Sequence, residues 1–164
     1  MQVISRLIAT GLVIGTLAGC ALPSSIKPGT TSADQLQQQL GKPTEIHPDP
    51  QGGESWDYVY GPEGVQTWRF GIDRARMVGS ATQLLTQERL FSVRPGQTTT
   101  AQVRALLGKP RDIVVLRGET VWEWRVALAP EYGVFIVRFG PDGIATGINV
   151  LRDLTSSDDK DSGP

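Results

Sequence analysis

Apolar positions with the spacing of a helix occur twice in the chain, each time between a Pro-Gly turn and a Gly-Lys-Pro stop. In each copy two apolar residues lie four positions apart and so share one helix face: Leu36 with Leu40, and Val103 with Leu107. Ser32 and Thr99 are the N-cap candidates, because a glutamine three residues further on completes a capping box. The pattern predicts helices over residues 32–40 and 99–107. Two glycines are expected to end them in the left-handed conformation: Gly41 and Gly108.

Alternation of apolar and polar residues follows each helix and predicts β-strands. In the first copy the strands are expected at Glu54–Tyr60, Val65–Phe70 and Arg76–Leu84, after a turn-rich loop over His47–Gly53. In the second copy they are expected at Asp112–Leu116, Glu119–Leu128, Val134–Phe139 and Ile144–Leu151. A short helix over Thr86–Phe91 is predicted between the copies. The order predicts an α+β fold, with short helices packed on one face of a small antiparallel β-meander in each copy.

The likeness between the copies continues beyond the helices. Trp56-Asp-Tyr58 corresponds to Trp122-Glu-Trp124, and Trp68-Arg-Phe70 corresponds to Val137-Arg-Phe139. We therefore interpret the chain as a tandem duplication of a unit of about 65 residues. The predicted boundaries are 26–85 for repeat one, 86–154 for repeat two with the linking helix, and 155–164 for an acidic tail that is expected to be disordered.

Two features predict that the repeats pack against each other. Leu90 and Phe91 in the linking helix require burial, unlike the residues of a flexible tether. The strand Val134–Phe139 is apolar on both faces, whereas one helix layer covers only one face. The second face is expected to pack on the sister repeat or, as the alternative, to remain as an interaction patch.

Composition excludes several classes of function. The formal net charge is -1, so no basic surface for nucleic acid is expected. The chain has one cysteine and one histidine, His47, so neither a metal site nor a cofactor is predicted. No catalytic motif is present, and we expect no enzymatic activity.

Charged residues inside the strands offer one further possibility. Asp57 and Glu123 hold corresponding positions and would suit acid–base work only if the duplication brought them together. The favoured interpretation is that each faces solvent and pairs across strands with Arg69 or Arg138.

The N-terminal residues have the pattern of a targeting segment. Arg6 precedes the apolar run Leu7–Leu17, which is short for a membrane span. Leu17-Ala-Gly-Cys20 resembles the bacterial lipobox, which implies a signal peptide over 1–19, lipidation of Cys20 and a tether over 20–25. By the same resemblance, Ala21 implies sorting to the outer membrane, with the protein facing the periplasm of a Gram-negative bacterium.

The repeated Pro-Gly turn, capping box, Gly-Lys-Pro stop and Trp-x-aromatic strand resemble the SmpA/OmlA/BamE family of outer-membrane lipoproteins. The tandem arrangement also resembles the secreted β-lactamase inhibitor protein. These resemblances imply a non-enzymatic protein-binding scaffold in envelope assembly or integrity, accessory to β-barrel assembly. The alternative is a periplasmic inhibitor-like protein-binding module unrelated to barrel insertion. Because aromatic residues are favoured at interface centres, we expect five of them to form the protein-interaction face: Trp56, Tyr58, Tyr60, Trp122 and Trp124.

Overall fold

The computed structural model describes residues 25–50, 52–128 and 131–152. The helices are α1 (Ala33–Leu40), α2 (Gln87–Leu90) and α3 (Thr100–Leu107), and a 3₁₀ turn lies at Pro62–Gly64. The strands are β1 (Glu45–Pro48), β2 (Glu54–Tyr60), β3 (Gln66–Ile72), β4 (Val78–Gln83), β5 (Asp112–Leu116), β6 (Glu119–Leu128), β7 (Glu131–Phe139) and β8 (Ala145–Arg152). The predicted signal peptide, Cys20 and the acidic tail lie outside the described residues.

The strands form two antiparallel meanders of four strands each, in the orders β1-β2-β3-β4 and β5-β6-β7-β8. We call them sheet one and sheet two. Two isolated backbone bridges recur 67 residues apart: Ser32 with Met77 and Thr99 with Ile144. The structure is thus an α+β fold of two similar halves, in which strands outweigh the few short helices.

The helix predictions are confirmed at their N-termini. Ser32 and Thr99 each accept a hydrogen bond through the side-chain oxygen from the backbone N–H of the glutamine three residues on. The backbone N–H of each cap residue donates in return to the side-chain oxygen of that glutamine. The ends differ from the prediction. Gly41 and Gly108 have φ of 79° and 74°, but ψ of -159° and -164°, so neither is left-handed helical. The extended ψ directs the chain toward the next strand. This combination of φ and ψ is essentially restricted to glycine.

Each sheet packs its aromatic face on one long helix. Leu36 of α1 is fully buried against sheet one, whose contributing side chains are Trp56, Tyr58, Phe70 and Ile72. Val103 and Leu107 of α3, together with Leu90 of α2, are buried against sheet two, whose contributing side chains are Trp124, Val126, Phe135, Val137 and Phe139. The apolar stripe of each helix therefore closes one core.

The repeats are stacked in the order α1, sheet one, α3, sheet two. The other face of sheet one lies against α3. Arg69 of β3 donates a hydrogen bond of 2.8 Å from this face to the carbonyl oxygen of Ala105 in α3. Packing between the repeats therefore exists, but the surface predicted on β7 is wrong. In the linking helix Leu90 is buried as expected, whereas Phe91 is 54% exposed. Val134 and Ile136, on the outer face of β7, point away from α3 and are half-buried. The sheet face that α3 covers at the junction of the repeats belongs to sheet one.

Two strand predictions and one residue correspondence need correction. Residues 45–48 form β1, where the prediction began a turn-rich loop at His47; Glu45, His47 and Pro48 give little alternating apolar signal. β7 begins at Glu131, inside the loop predicted before Val134. The match of Arg69 with Arg138 is wrong, because Asp57 faces Arg69 whereas Glu123 faces Ile136.

Candidate functional site

A row of charged side chains crosses the face of sheet one that α3 covers. Glu45 of β1 lies directly opposite Asp57 of β2, and Asp57 lies directly opposite Arg69 of β3. Residues opposite each other on antiparallel strands share a face, so the three side chains form one line. Arg69 Nε donates to Asp57 Oδ1 and Arg69 Nη2 donates to Asp57 Oδ2, both at 2.7 Å. These two hydrogen bonds form a bidentate pair through Nε and Nη2 of the guanidinium.

The acid of this pair is buried, and the guanidinium of Arg69 is partly exposed. Asp57 is 1% exposed, so the expectation that it faces solvent is wrong. Its hydrogen bond with Asp57 raises the pKa of Arg69 above the ordinary value for arginine. The possible pairing of Asp57 with Glu123 does not occur. Asp57 faces α3 from sheet one, whereas Glu123 lies between Trp122 and Trp124 in β6 and faces away from the core of sheet two.

Helix α3 completes the cluster from repeat two. Arg104 forms an ion pair with Glu45 Oε1. The last turn of a helix leaves carbonyl oxygens without intrahelical donors. Arg69 donates to Ala105 as described, and Arg89 of α2 donates through Nε and Nη2 to the carbonyl oxygen of Leu106 at 3.1 and 2.8 Å. The C-terminal end of α3 is therefore held by arginines from both repeats.

His47 borders the same cluster. Its Nε2 lies 3.4 Å from Asp57 Oδ2 and 3.6 Å from Glu45 Oε2. The sequence interpretation placed this histidine in a solvated loop, whereas it lies on β1, opposite Ser55. The spacing of Glu45 and His47, two residues apart on one strand, is the sequence signal that would have placed both on one face.

The five aromatics that were expected to form an interaction face do not form an exposed surface. Trp56, Tyr58 and Trp124 are buried in the cores beneath the helices, with exposures of 3%, 3% and 1%. Tyr60 and Trp122 are half-buried. Burial also raises the pKa of Tyr58 to about 12, because loss of water disfavours the phenolate.

Among the described residues, β5 is the segment with the longest run of exposed apolar side chains. Four consecutive aliphatic side chains of this strand are 40–69% exposed: Ile113, Val114, Val115 and Leu116. β5 is an edge strand, paired only with β6 in its sheet. The sequence predicts a strand over Asp112–Leu116, and the structure confirms those bounds.

Comparison with known proteins gives no family. No family model and no curated protein match the chain. Three solved structures are similar at low identity: a DUF4309 family protein from Bacillus subtilis (13% identity, 79% of this chain, 84% of that chain, TM-score 0.32), a "putative beta-lactamase inhibitor protein" from Streptococcus mutans (15%, 73%, 82%, 0.34) and an extracellular protein containing an SCP domain from Bacillus anthracis (16%, 81%, 48%, 0.30).

An inhibitor-like protein is thus among the structural neighbours, whereas the resemblance to SmpA/OmlA/BamE lipoproteins is not confirmed. Among the described residues, no helix combines the length and apolar character needed to cross a bilayer.

Proposed function

We propose that the protein is a non-enzymatic protein-binding module of the cell envelope that docks an extended segment of a partner protein along β5. The observation that carries this proposal is the exposure of the whole strand: all five residues of Asp112–Leu116 are exposed, and four are aliphatic. An edge strand presents unpaired backbone groups, and an incoming strand can pair with them.

The side chains of β5 add specificity to such pairing. Ile113 and Val115 lie on one face of the sheet, and Val114 and Leu116 lie on the other. A partner strand beside β5 would cover aliphatic side chains on both faces as it extends the sheet. The partner therefore carries an extended segment with apolar residues on both sides.

The corresponding edge of repeat one is protected against such pairing. β1 has four residues, includes Glu45 and His47, and ends at Pro48, which has no N–H to donate. Edge strand β4 is built largely from glycine, serine, threonine and glutamine. β5 thus differs from both edges of sheet one in the feature that favours a partner strand.

Lipidation of Cys20 would hold this surface at the membrane, on the periplasmic side of the outer membrane. The support is the lipobox-like sequence alone, and Cys20→Ala tests it. Metabolic labelling with a fatty acid should mark the wild type and leave the variant unlabelled. Equal labelling of both proteins would remove the anchor from the proposal.

The docking site is tested by photo-crosslinking in cells. A photoreactive amino acid replaces Val115 on β5 or, as the control, exposed Thr82 on edge strand β4. The residue at position 115 should yield a discrete crosslink to another protein and the residue at position 82 should not. Val114→Lys in the first protein should reduce the yield at least tenfold, because it places a charge in the paired strand.

Three outcomes contradict the proposal: no crosslink at position 115, equal crosslinks at both positions, or a crosslink only to a second copy of this chain. The identity of the product separates the two forms of the function. We favour the inhibitor-like module, because pairing along β5 needs only an extended segment and no barrel. A soluble periplasmic protein supports it, and a subunit of the barrel-assembly machinery supports the accessory role instead.

A further inference from the structure

The junction of the repeats contains three potential metal ligands on one face of sheet one. Glu45 and His47 are two residues apart on β1, and Asp57 lies on the neighbouring strand opposite Glu45. One ligand atom from each of the three lies within 4.8 Å of the other two. Carboxylate oxygens and an imidazole nitrogen are ligands that Zn²⁺ accepts. We propose that this cluster binds a divalent cation of the Zn²⁺ type.

The distances fit a tetrahedral ion. Two ligand atoms bound to Zn²⁺ at about 2.0–2.1 Å with tetrahedral angles lie about 3.3–3.4 Å apart. His47 Nε2 is 3.4 Å from Asp57 Oδ2 and 3.6 Å from Glu45 Oε2. The two separations from His47 are therefore close to those that coordination requires, and the two carboxylates lie within 4.8 Å of each other.

Two of the ligand atoms have no other use in the structure. Glu45 Oε2 and His47 Nε2 are buried and have no hydrogen-bond partner among the described residues. Buried polar atoms without partners are costly, and an unplaced ion is one of their explanations. Asp57 Oδ2 accepts from Arg69, but a carboxylate oxygen has a second lone pair for a metal.

The surroundings supply what a metal site needs beyond its ligands. Arg104 holds Glu45 through Oε1, which leaves Oε2 for the ion, and Arg69 holds Asp57. Such outer hydrogen bonds orient ligating carboxylates. The two arginines balance the two carboxylates, so the cluster does not repel a cation as a whole. His47 also lines a recess of about 390 Å³, which leaves room for a fourth ligand from solvent.

Repeat two provides an internal control. The positions that correspond to Glu45 and Asp57 in the strand pairing are Asp112 and Glu123, and the position that corresponds to His47 is Val114. Repeat two thus has both carboxylates without the nitrogen ligand. Only repeat one is expected to bind the ion.

Thermal unfolding with Zn²⁺ tests the proposal. The full chain is purified in detergent and stripped with a chelator, with Cys20→Ser in every sample so that the thiol offers no ligand. Zn²⁺ at about 100 times its dissociation constant should raise Tm by about 5 °C or more. His47→Gln and Glu45→Gln should each abolish the shift, whereas Asp112→Asn should retain it.

Co²⁺ provides a second measurement, because its visible absorption bands report coordination by the protein directly. The bands should appear in the parent protein at one ion per chain and be lost in His47→Gln. Circular dichroism without metal establishes that each variant is folded. Absence of both the Tm shift and the Co²⁺ bands in the parent protein overturns the proposal, and so does an unchanged shift in both variants.

Discussion

The two sheets carry different chemistry on the face that points away from their own long helix. In sheet one that face has Asp57 paired with Arg69, and α3 covers it. In sheet two the corresponding acid is Glu123; Ile136 stands opposite it, and Arg125, two residues further along β6, forms an ion pair with Glu63 of the 3₁₀ turn. The same backbone thus buries an acid under a helix in one repeat and leaves the corresponding acid half-buried in the other. An acid is buried only where cations reach it, because an unpaired buried charge is costly.

The largest expected effect comes from removing the buried acid. Asp57→Ala should lower the free energy of unfolding by about 3–5 kcal/mol, because Arg69 is left without its partner inside the junction. Glu123→Ala, at the corresponding half-buried position, should cost less than about 1 kcal/mol. Chemical denaturation measures both. Equal losses would mean that the junction does not bury the Asp57 pair.

The next largest difference in stability is expected between substitutions of the two glycines that end the long helices. Gly41→Ala and Gly108→Ala both place a side chain at positive φ, which costs about 1–3 kcal/mol. At Gly41 nothing lies within 4 Å of the added carbon, whereas at Gly108 it meets Thr67 at 3.1 Å and Leu84 at 3.2 Å. Gly108→Ala should therefore lower the denaturation midpoint further. The same midpoint for both variants would argue against close packing of α3 on sheet one.

Removal of the helix N-cap should cost the same stability in the two repeats. Ser32→Ala and Thr99→Ala each remove a cap with a complete box, and each should lower the free energy of unfolding by about 1 kcal/mol. Thermal unfolding checks whether the losses agree. A much larger loss for Thr99→Ala would show that α3 stabilises both repeats through its position between the sheets.

The smallest effect at neutral pH concerns Tyr58, whose buried hydroxyl has no hydrogen-bond partner among the described residues. Tyr58→Phe should raise the free energy of unfolding by up to about 1 kcal/mol. The pKa of Tyr58 is raised from 10.0 to about 12, so the folded state resists deprotonation more than the unfolded state. Stability from this group is complete below pH 10 and falls as the pH rises toward 12.

Denaturation of wild type and Tyr58→Phe across this alkaline range checks the sign. The fall in the free energy of unfolding with rising pH should be smaller in Tyr58→Phe than in the wild type. Tyr60→Phe serves as the control, because Tyr60 is half-buried. Identical alkaline profiles for wild type and Tyr58→Phe would contradict the assignment.

Local features of the fold were predictable from the sequence. The capping boxes at Ser32 and Thr99 depend on residues three apart, and the structure contains both. Strands β5 and β6 have the predicted bounds, because their alternation or aliphatic content is strong. β1 was missed because its contacts, rather than its composition, make it a strand.

The candidate site was harder to predict, because its parts are far apart in the sequence. Glu45 and Arg104 are 59 residues apart, and Arg69 and Ala105 are 36 apart. No local pattern reports that α3 covers sheet one. The false match of Arg69 with Arg138 has a related cause: the shared Arg-Phe-Gly letters suggested a correspondence, whereas the strand register, set by the hairpins, opposes Glu123 to Ile136.

The position of α3 between the sheets also sets an order of events during synthesis. The chain is made from its N-terminus, so β1 to β3 are complete before Arg104 exists. Asp57 and Arg69 lie on one hairpin and can pair early, yet they remain in water until α3 arrives. The charged face of the first repeat can therefore be covered only after α3 of the second repeat has been made. A chain interrupted before Thr100 would lack α3 and would carry that charged face open to solvent.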